Sequence, residues 1–282
     1  MVFLWLTLRI FLLGFERIVG KIITKHTSSI VSSWAFFSFS LLVLLPFSAR
    51  LSFQILRFSL ISGMIYSFSF FLYMYALSNE DISVVAPLYN INAIFLVFIA
   101  NIFLNEKITL YKILGSLMMI YGVSYLKKSN NIVFSYLNIL KSKGALAMIF
   151  SSLFIAFGRT IDGILTKQRN LDQLGYSIGV YTVMSINFFV ASLIKEKGLK
   201  KHIEIVKNKW LFLIFGGICN AYAYIALLNA FKYIDISIAE PLSMISVFVS
   251  ILFAYLIFRE KVKLRIIGTV FLVLGVFILY CG

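Results

Sequence analysis

Polar residues along this chain are sparse and grouped, and the apolar runs between them are long enough to cross a bilayer. Ten such runs can be drawn, near residues 2–19, 32–47, 60–77, 83–104, 111–126, 144–165, 174–194, 210–231, 237–258 and 264–280. An apolar run of about 18 residues or more can satisfy its own backbone as a helix across about 30 Å of hydrocarbon. The pattern therefore predicts an all-α integral membrane protein with ten transmembrane helices. The turn Ser78-Asn79-Glu80-Asp81 is so short that predicted helices 3 and 4 must form an antiparallel hairpin. Two polar stretches interrupt the pattern: a link from Lys127 to Lys143, and the insert KEKGLKKHIEIVKNK from Lys195 to Lys209, expected in solvent or among headgroups.

The apolar pattern repeats within the chain. Pro87 to Glu106, PLYNINAIFLVFIANIFLNE, returns as Pro241 to Glu260, PLSMISVFVSILFAYLIFRE, at an offset of 154 (241 − 87). Ala76 and Ala230, Asp81-Ile82-Ser83 and Asp235-Ile236-Ser237, and Glu106-Lys107 and Glu260-Lys261 keep the same offset. Gly115 and Gly122 answer Gly268 and Gly275 at 153. The early helices match more weakly: Phe15, Arg17, Ile22, Thr24 and Lys25 pair with Phe157, Arg159, Ile164, Thr166 and Lys167 at 142 (159 − 17). Twelve extra residues in the loop between helices 7 and 8 bridge the two offsets (154 − 142). Each copy holds five helices, an odd number, so the second copy enters the membrane from the opposite side. The chain divides into a first repeat 1–126, a linker 127–143 and a second repeat 144–282, the inverted pair of many secondary transporters.

Composition agrees and removes alternatives. A chain that is 61% hydrophobic and 13% charged, with mean hydropathy +0.97, is not a soluble domain. The net charge of +15 would suggest nucleic acid in a soluble protein; here Lys and Arg cluster in short loops, where the positive-inside effect accounts for them, and no nucleic-acid partner is expected. About sixteen of them follow helices 1, 3, 5, 7 and 9 and about seven follow helices 2, 4, 6 and 8, so the counting rule places both termini outside. Cys219 and Cys281 fall in apolar helices, form no metal-binding pattern and are expected as buried thiols. The first segment lacks a basic leader and an A-x-A site, and Arg9 interrupts it, so it reads as a transmembrane helix and not a signal peptide.

The whole arrangement resembles the EamA-type, ten-helix branch of the drug/metabolite transporter superfamily. The resemblance rests on the 5+5 duplication, on Ala76…Pro87 and Ala230…Pro241, and on Glu106 and Glu260 closing helices 4 and 9 before the glycine-bearing helices 5 and 10. It implies a helical basket with helices 1–4 and 6–9 around a central cavity and helices 5 and 10 outside it. It also implies a cell (inner) membrane location and cytoplasmic termini, opposite to the charge count. Such transporters move amino acids, nucleotide sugars, sugar phosphates, choline-like cations and drugs.

Ionisable groups inside a membrane are costly and are the first functional candidates. Glu240 precedes Pro241, which removes a backbone donor; a carboxylate there could hold a cation, a substrate ammonium or a coupling proton, or could be an interfacial helix-start charge. Arg9, near the middle of helix 1, could meet an anionic group or a buried carboxylate. Arg159 with Asp162, and Glu16 with Arg17, lie toward helix ends, where local pairing or reaching for headgroups accounts for them better than substrate contact. Asn90, Asn92 and Tyr89 on helix 4, Asn220 and Tyr224 on helix 8 and Tyr66 on helix 3 could line a hydrogen-bonding pocket, or glue helices and mark the interface. The glycine pairs and Gly175-x-x-x-Gly179 serve close packing, and Glu106 and Glu260 serve as charged helix ends.

These features support a secondary transporter of small polar metabolites (amino-acid-like, amine or related solutes) working by alternating access, with protons or another ion for coupling. No cofactor and no enzymatic activity are expected: no GxxxxGK[ST] is present, and the histidines His26 and His202 fall in loops. A channel would require polar positions continued along a pore, and an intramembrane enzyme would require a clustered nucleophile and base.

Overall fold

The computed structural model describes residues 2–104, 107–234 and 236–281, and among these every regular element is helical. The helices are α1 (Val2–Thr24), α2 (Ser29–Leu44, continued by a 3-10 segment Leu45–Arg50), α3 (Phe53–Asn79), α4 (Ile82–Tyr89), α5 (Asn92–Leu104), α6 (Leu110–Val123), α7 (Ile132–Lys141) and α8 (Lys143–Gly163, continued by a π segment Ile164–Gln168). They are followed by α9 (Gln173–Glu196), α10 (Lys200–Phe231), α11 (Ile236–Ser243), α12 (Ser246–Phe258) and α13 (Lys263–Tyr280). Six spans are long and apolar enough to cross a membrane: α2 with its extension, α3, α4 with α5, α8 with its extension, α9 and α10. Among the other helices of the expected ten, α1 carries Arg9, Glu16, Arg17 and Lys21, while α6 and α12 are short apolar helices of 14 and 13 residues.

The outer surface explains the hydropathy. Phe3, Phe53, Ile61, Met64, Ile102 and Ile194 all expose most of their area. In a bundle whose backbone is satisfied within helices, such a surface suits hydrocarbon.

Predicted helices 4 and 9 are each broken in two, and the breaks correspond. α4 and α11 span 82–89 and 236–243, and α5 and α12 span 92–104 and 246–258, all at the offset of 154 found in the sequence (236 − 82; 246 − 92). Pro87 offers no N–H to the preceding turn. The chain then tightens to three-residue bonds, with the Asn90 amide donating to the Pro87 carbonyl at 3.0 Å and the Ile91 amide to Leu88 at 3.1 Å. The second break repeats this, Ile245 to Leu242 at 3.4 Å and Val247 to Met244 at 3.0 Å. The two breaks touch: Asn90 Nδ2 donates to the Met244 carbonyl at 3.5 Å, and 244 − 90 is again 154. The side chain of Pro241, with Glu106 and Asp235, lies outside the described residues.

α6 and α13 pack antiparallel on glycines. A Cβ on Gly122 would sit 2.7 Å from the Gly268 carbonyl oxygen, and one on Gly275 would sit 2.6 Å from that of Gly115. Elsewhere the structure departs from the polar expectations. The 127–143 link contains the helix α7. The 195–209 insert is largely helical, continuous with α10 across a kink at Lys209 (φ −130°, ψ 19°). His202 is buried in it, 2.6 Å from Ser192 Oγ and packed on the Trp34 ring at 4.7 Å, so it is not a loop residue. Amphipathic spacing lets one face of this segment dock on α2 and α9 while its lysines stay in solvent. Cys219 is buried as expected, whereas Cys281 lies past the end of α13 and is exposed.

Gly122→Leu should lower unfolding stability in detergent by about 1–3 kcal/mol through overpacking of the α6–α13 seam. Gly198→Leu, where an added Cβ would meet nothing within 4 Å, should leave the unfolding midpoint unchanged.

Candidate functional site

Three arginines and three carboxylates are buried together where α1, α3, α4, α8, α10 and α11 meet: Arg9, Arg17, Arg159, Glu16, Asp162 and Glu240, each 3% exposed or less. Their charges sum to zero. The remaining 23 basic (26 − 3) and 8 acidic (11 − 3) residues of the sequence carry the entire +15.

Asp162 is the most tightly held of the carboxylates. Its Oδ2 accepts from the Tyr66 hydroxyl at 2.5 Å and from Arg159 Nη1 at 3.2 Å; its Oδ1 accepts from the hydroxyls of Tyr176 at 2.8 Å and Tyr224 at 2.9 Å. Arg159 Nη1 also donates to the Tyr66 hydroxyl at 2.9 Å, and the guanidinium stacks 5.2 Å from the rings of both Tyr66 and Tyr224. Four charge-assisted bonds on one carboxylate make a rigid seat for Arg159.

Glu240 is held more loosely. Its Oε1 accepts from the Tyr89 hydroxyl and from Asn92 Nδ2, both at 3.2 Å, and lies 3.5 Å from Arg159 Nε; Arg9 Nη2 stands 3.7 Å from Oε2. Glu240 thus joins the two halves of the chain, with α4 and α5 on one side and α8 on the other. Arg17, the repeat partner of Arg159, donates through Nη1 to Ser246 Oγ at 3.2 Å and Ser250 Oγ at 3.3 Å and stacks 4.9 Å from the Tyr89 ring. The Tyr73 phenol is the hydrogen-bonding neighbour of Glu16, though not in good hydrogen-bond geometry, and Glu16 has no ion pair among the described residues.

A small cavity lies among these groups, lined by Arg9, Glu16, Tyr66, Tyr89, Arg159, Asn220 and Tyr224, with Leu13, Phe37, Phe70 and Met184 as apolar walls. Its space for the centre of a water-sized sphere is about 20 Å³, room for one or two waters. Several buried donors and acceptors are left without a hydrogen-bond partner here: Nε and Nη2 of Arg9 and of Arg17, Arg159 Nε, Glu240 Oε2 and Asn92 Oδ1. Unfilled polar groups at this depth are uncommon and call for an explanation such as water, strain or a ligand. No group of three or more His, Cys, Asp or Glu able to hold a metal occurs among the described residues.

The structure brings together seven of the eight residues singled out from sequence. Glu240, Arg9, Tyr89 and Asn92 meet in one contact set, and Arg9, Tyr89, Tyr66, Tyr224 and Asn220 line the cavity, whose lining does not include Glu240 or Asn92. Asn90 is buried beside them but bridges the two helix breaks and is not part of the lining. Asn220 also donates to Ser40 Oγ at 2.9 Å, tying α10 to α2. Of the two expectations for Arg159, Asp162, Glu16 and Arg17, local pairing is seen for Arg159 with Asp162 at 3.2 Å, and reaching for headgroups is corrected, since all four are buried. Asp162 lies level with Tyr66, which sits midway along α3 (66 − 53 = 79 − 66), so its neighbours are phenols and no route to the interface is open. The usable signal was the repeat itself, which sets Arg17 and Arg159 at equivalent positions. Tyr176 and Tyr181, which complete the Asp162 seat and the cavity wall, carried no sequence signal beyond their ring type.

Outside the cluster, Glu260 closes one end of the bundle. It accepts from the amides of Ile82 and Ser83, each at 2.9 Å, and from Ser83 Oγ at 2.5 Å, capping α4 from the other half of the chain. It is a helix-end charge, as its sequence suggested, with a partner the sequence did not reveal.

Asp162→Asn should cost about 3–5 kcal/mol of unfolding stability, since it leaves Arg159 short of a buried counter-charge. Glu16→Gln, which breaks no ion pair among the described residues, should cost much less in the same denaturation series.

No curated protein matches the sequence. A solved crystal structure matches the fold with a TM-score of 0.70 over 98% of this chain and 95% of its own; at 15% identity, the likeness is one of fold. The sequence model described as the EamA-like transporter family matches residues 1–127 and 142–281. A duplicated helical membrane chain, with paired helix breaks around a buried charged cluster, belongs to the EamA-like transporter family.

Proposed function

We propose that this protein is a secondary-active carrier that moves small polar metabolites, amino-acid-like zwitterions foremost, by alternating access. In this reading the two halves, 1–126 and 144–282, rock about the buried cluster while the 127–143 segment joins them. The observation that carries the proposal is the charge-balanced buried cluster, of which Arg9, Glu16 and Arg159 line a small cavity and several polar atoms lack a hydrogen-bond partner. Arginine N–H groups await a carboxylate, Glu240 and Glu16 can receive an ammonium, and Phe37, Phe70 and Met184 supply apolar wall. A zwitterion enters without changing the net charge of the cluster, whereas a singly charged solute leaves one charge unbalanced at a depth where that is expensive.

Glu240 contacts both halves, so a substrate ammonium drawn to it also reports on the state of the interface between them. Proton coupling is better placed on Glu16 than on Glu240. Glu240 is within ion-pair distance of two arginines and accepts two hydrogen bonds, whereas Glu16, with Arg9, Arg17 and Arg159 farther off, has no ion pair among the described residues and only the Tyr73 phenol as a hydrogen-bonding neighbour.

Purified protein in liposomes loaded with a mixed metabolite pool should release zwitterionic solutes selectively and saturably, as followed by mass spectrometry. Glu240→Gln should lower that flux roughly 10- to 100-fold, the worth of a buried charge-assisted contact. Glu16→Gln should keep solute exchange but lose accumulation driven by a pH gradient. Release no faster than from protein-free liposomes, or a Glu240→Gln variant as active as the parent, would count against the carrier reading.

A further inference from the structure

At the end of the bundle closed by Glu260 there is a second, unrelated concavity. The C-terminal end of α6, the turn that ends α12 and the first turn of α13 enclose an open notch of about 720 Å³. Its lining carries six cations, Lys127, Lys128, Arg259, Lys261, Lys263 and Arg265, against the single acid Glu260. Some of this charge is already used. Arg265 pairs with Asp81 at 2.8 Å, Lys127 with Glu80 at 2.6 Å, and Lys128 lies 4.4 Å over the Tyr125 ring. Glu260 is held by the α4 amides, as described above. Arg259, Lys261 and Lys263 are exposed and have no carboxylate within ion-pair distance among the described residues.

We infer that this notch binds the phosphate headgroup of an acidic phospholipid. Three features support the assignment beyond a count of charges. First, α13 begins here with Val262 at its cap and no side chain satisfying its first amides, and no acid stands in its first turn, so backbone donors and the positive helix end face the notch. Second, the rim is where acyl chains would lie: Tyr255 and Leu256 are 57% and 59% exposed on α12, and Leu264 is exposed on α13. Aromatic and apolar side chains beside a basic pocket are the arrangement expected at a headgroup level.

Third, the internal repeat supplies a control. By the same offsets, Arg259 and Lys263 correspond to Asn105 and Leu110, and Lys127 and Lys128 correspond to Tyr280 and Cys281 (259 − 154, 263 − 153, 127 + 153, 128 + 153). The other copy of this corner keeps two of the six cations, Lys107 for Lys261 and Lys112 for Arg265 (261 − 154, 265 − 153), and lacks the other four, so the fold does not require those four. One copy of the corner is thus more basic in sequence than the other.

The test uses the full chain and three probes: phosphatidylcholine vesicles, the same vesicles with phosphatidylglycerol, and inorganic phosphate in detergent. Native mass spectrometry should show phosphatidylglycerol retained over phosphatidylcholine, and phosphatidylglycerol should raise the thermal unfolding midpoint. The variant Arg259→Gln/Lys261→Gln/Lys263→Gln should lower the preference about 100-fold at low salt, about fivefold per charge removed. All three positions are exposed, so the variant should fold, and its midpoint in phosphatidylcholine alone should match the parent. Equal retention of both lipids by the parent protein would overturn the assignment. So would an undiminished preference in the variant, or a midpoint shift reproduced by inorganic phosphate, which would mark a site for the free anion.

Discussion

Burying a charge in a membrane bundle costs several kcal/mol even after relaxation, and this chain buries six in one cluster. The cost is tolerable because three arginines and three carboxylates share one cluster, with phenols, amides and serines supplying hydrogen bonds. Much of the surrounding architecture serves that requirement. α3, α9 and α10 each contribute a tyrosine to Asp162; α4, α5 and α8 each contribute a donor or a cation to Glu240. The two acids are not equivalent. Four short bonds make Asp162 part of the scaffold, and longer contacts leave Glu240 free to exchange partners.

The helix breaks are what allow the cluster to be charged and still compact. Continuous helices 4 and 9 would present only side chains to the centre. Broken at Asn90–Ile91 and Met244–Ile245, they turn Tyr89, Asn92 and Glu240 inward and bring the two breaks into contact through Asn90. The exact recurrence of the α4, α5, α11 and α12 bounds at an offset of 154 shows that the break is inherited with the repeat. On the outside, α6 and α13 meet glycine to glycine. Close backbone contact of this kind is how helices associate where lipid gives no hydrophobic drive.

The all-helical membrane character, the recurrence at an offset of 154 and the glycine seam were legible because they rest on period and length, which a bilayer enforces strictly. Glu240 and Arg9 were legible because a lone charge in an apolar run has few innocent explanations. The pairing of Arg159 with Asp162 was legible from their spacing of three, but their depth was not, because distance from a helix end is a poor guide to depth when neighbouring helices cover that end with tyrosines. Asn90 looked like a cavity residue by its spacing from Pro87, but the break reorients its side chain toward Met244. The 195–209 insert looked solvated because its charge is high; its apolar face was visible only once α2 and α9 were in place to receive Trp34, His202 and Phe189.

On the proposed carrier reading, a charge-neutral cluster with polar atoms of both signs unpartnered favours a guest that carries both signs as well. The most direct measurement is the thermal unfolding midpoint of the purified protein against matched triplets: an amino acid, its N-acetyl derivative and its methyl ester, for several side chains. The account predicts that a zwitterion raises the midpoint and that neither singly charged derivative does. Equal stabilisation by the ester or by the N-acetyl acid would contradict it.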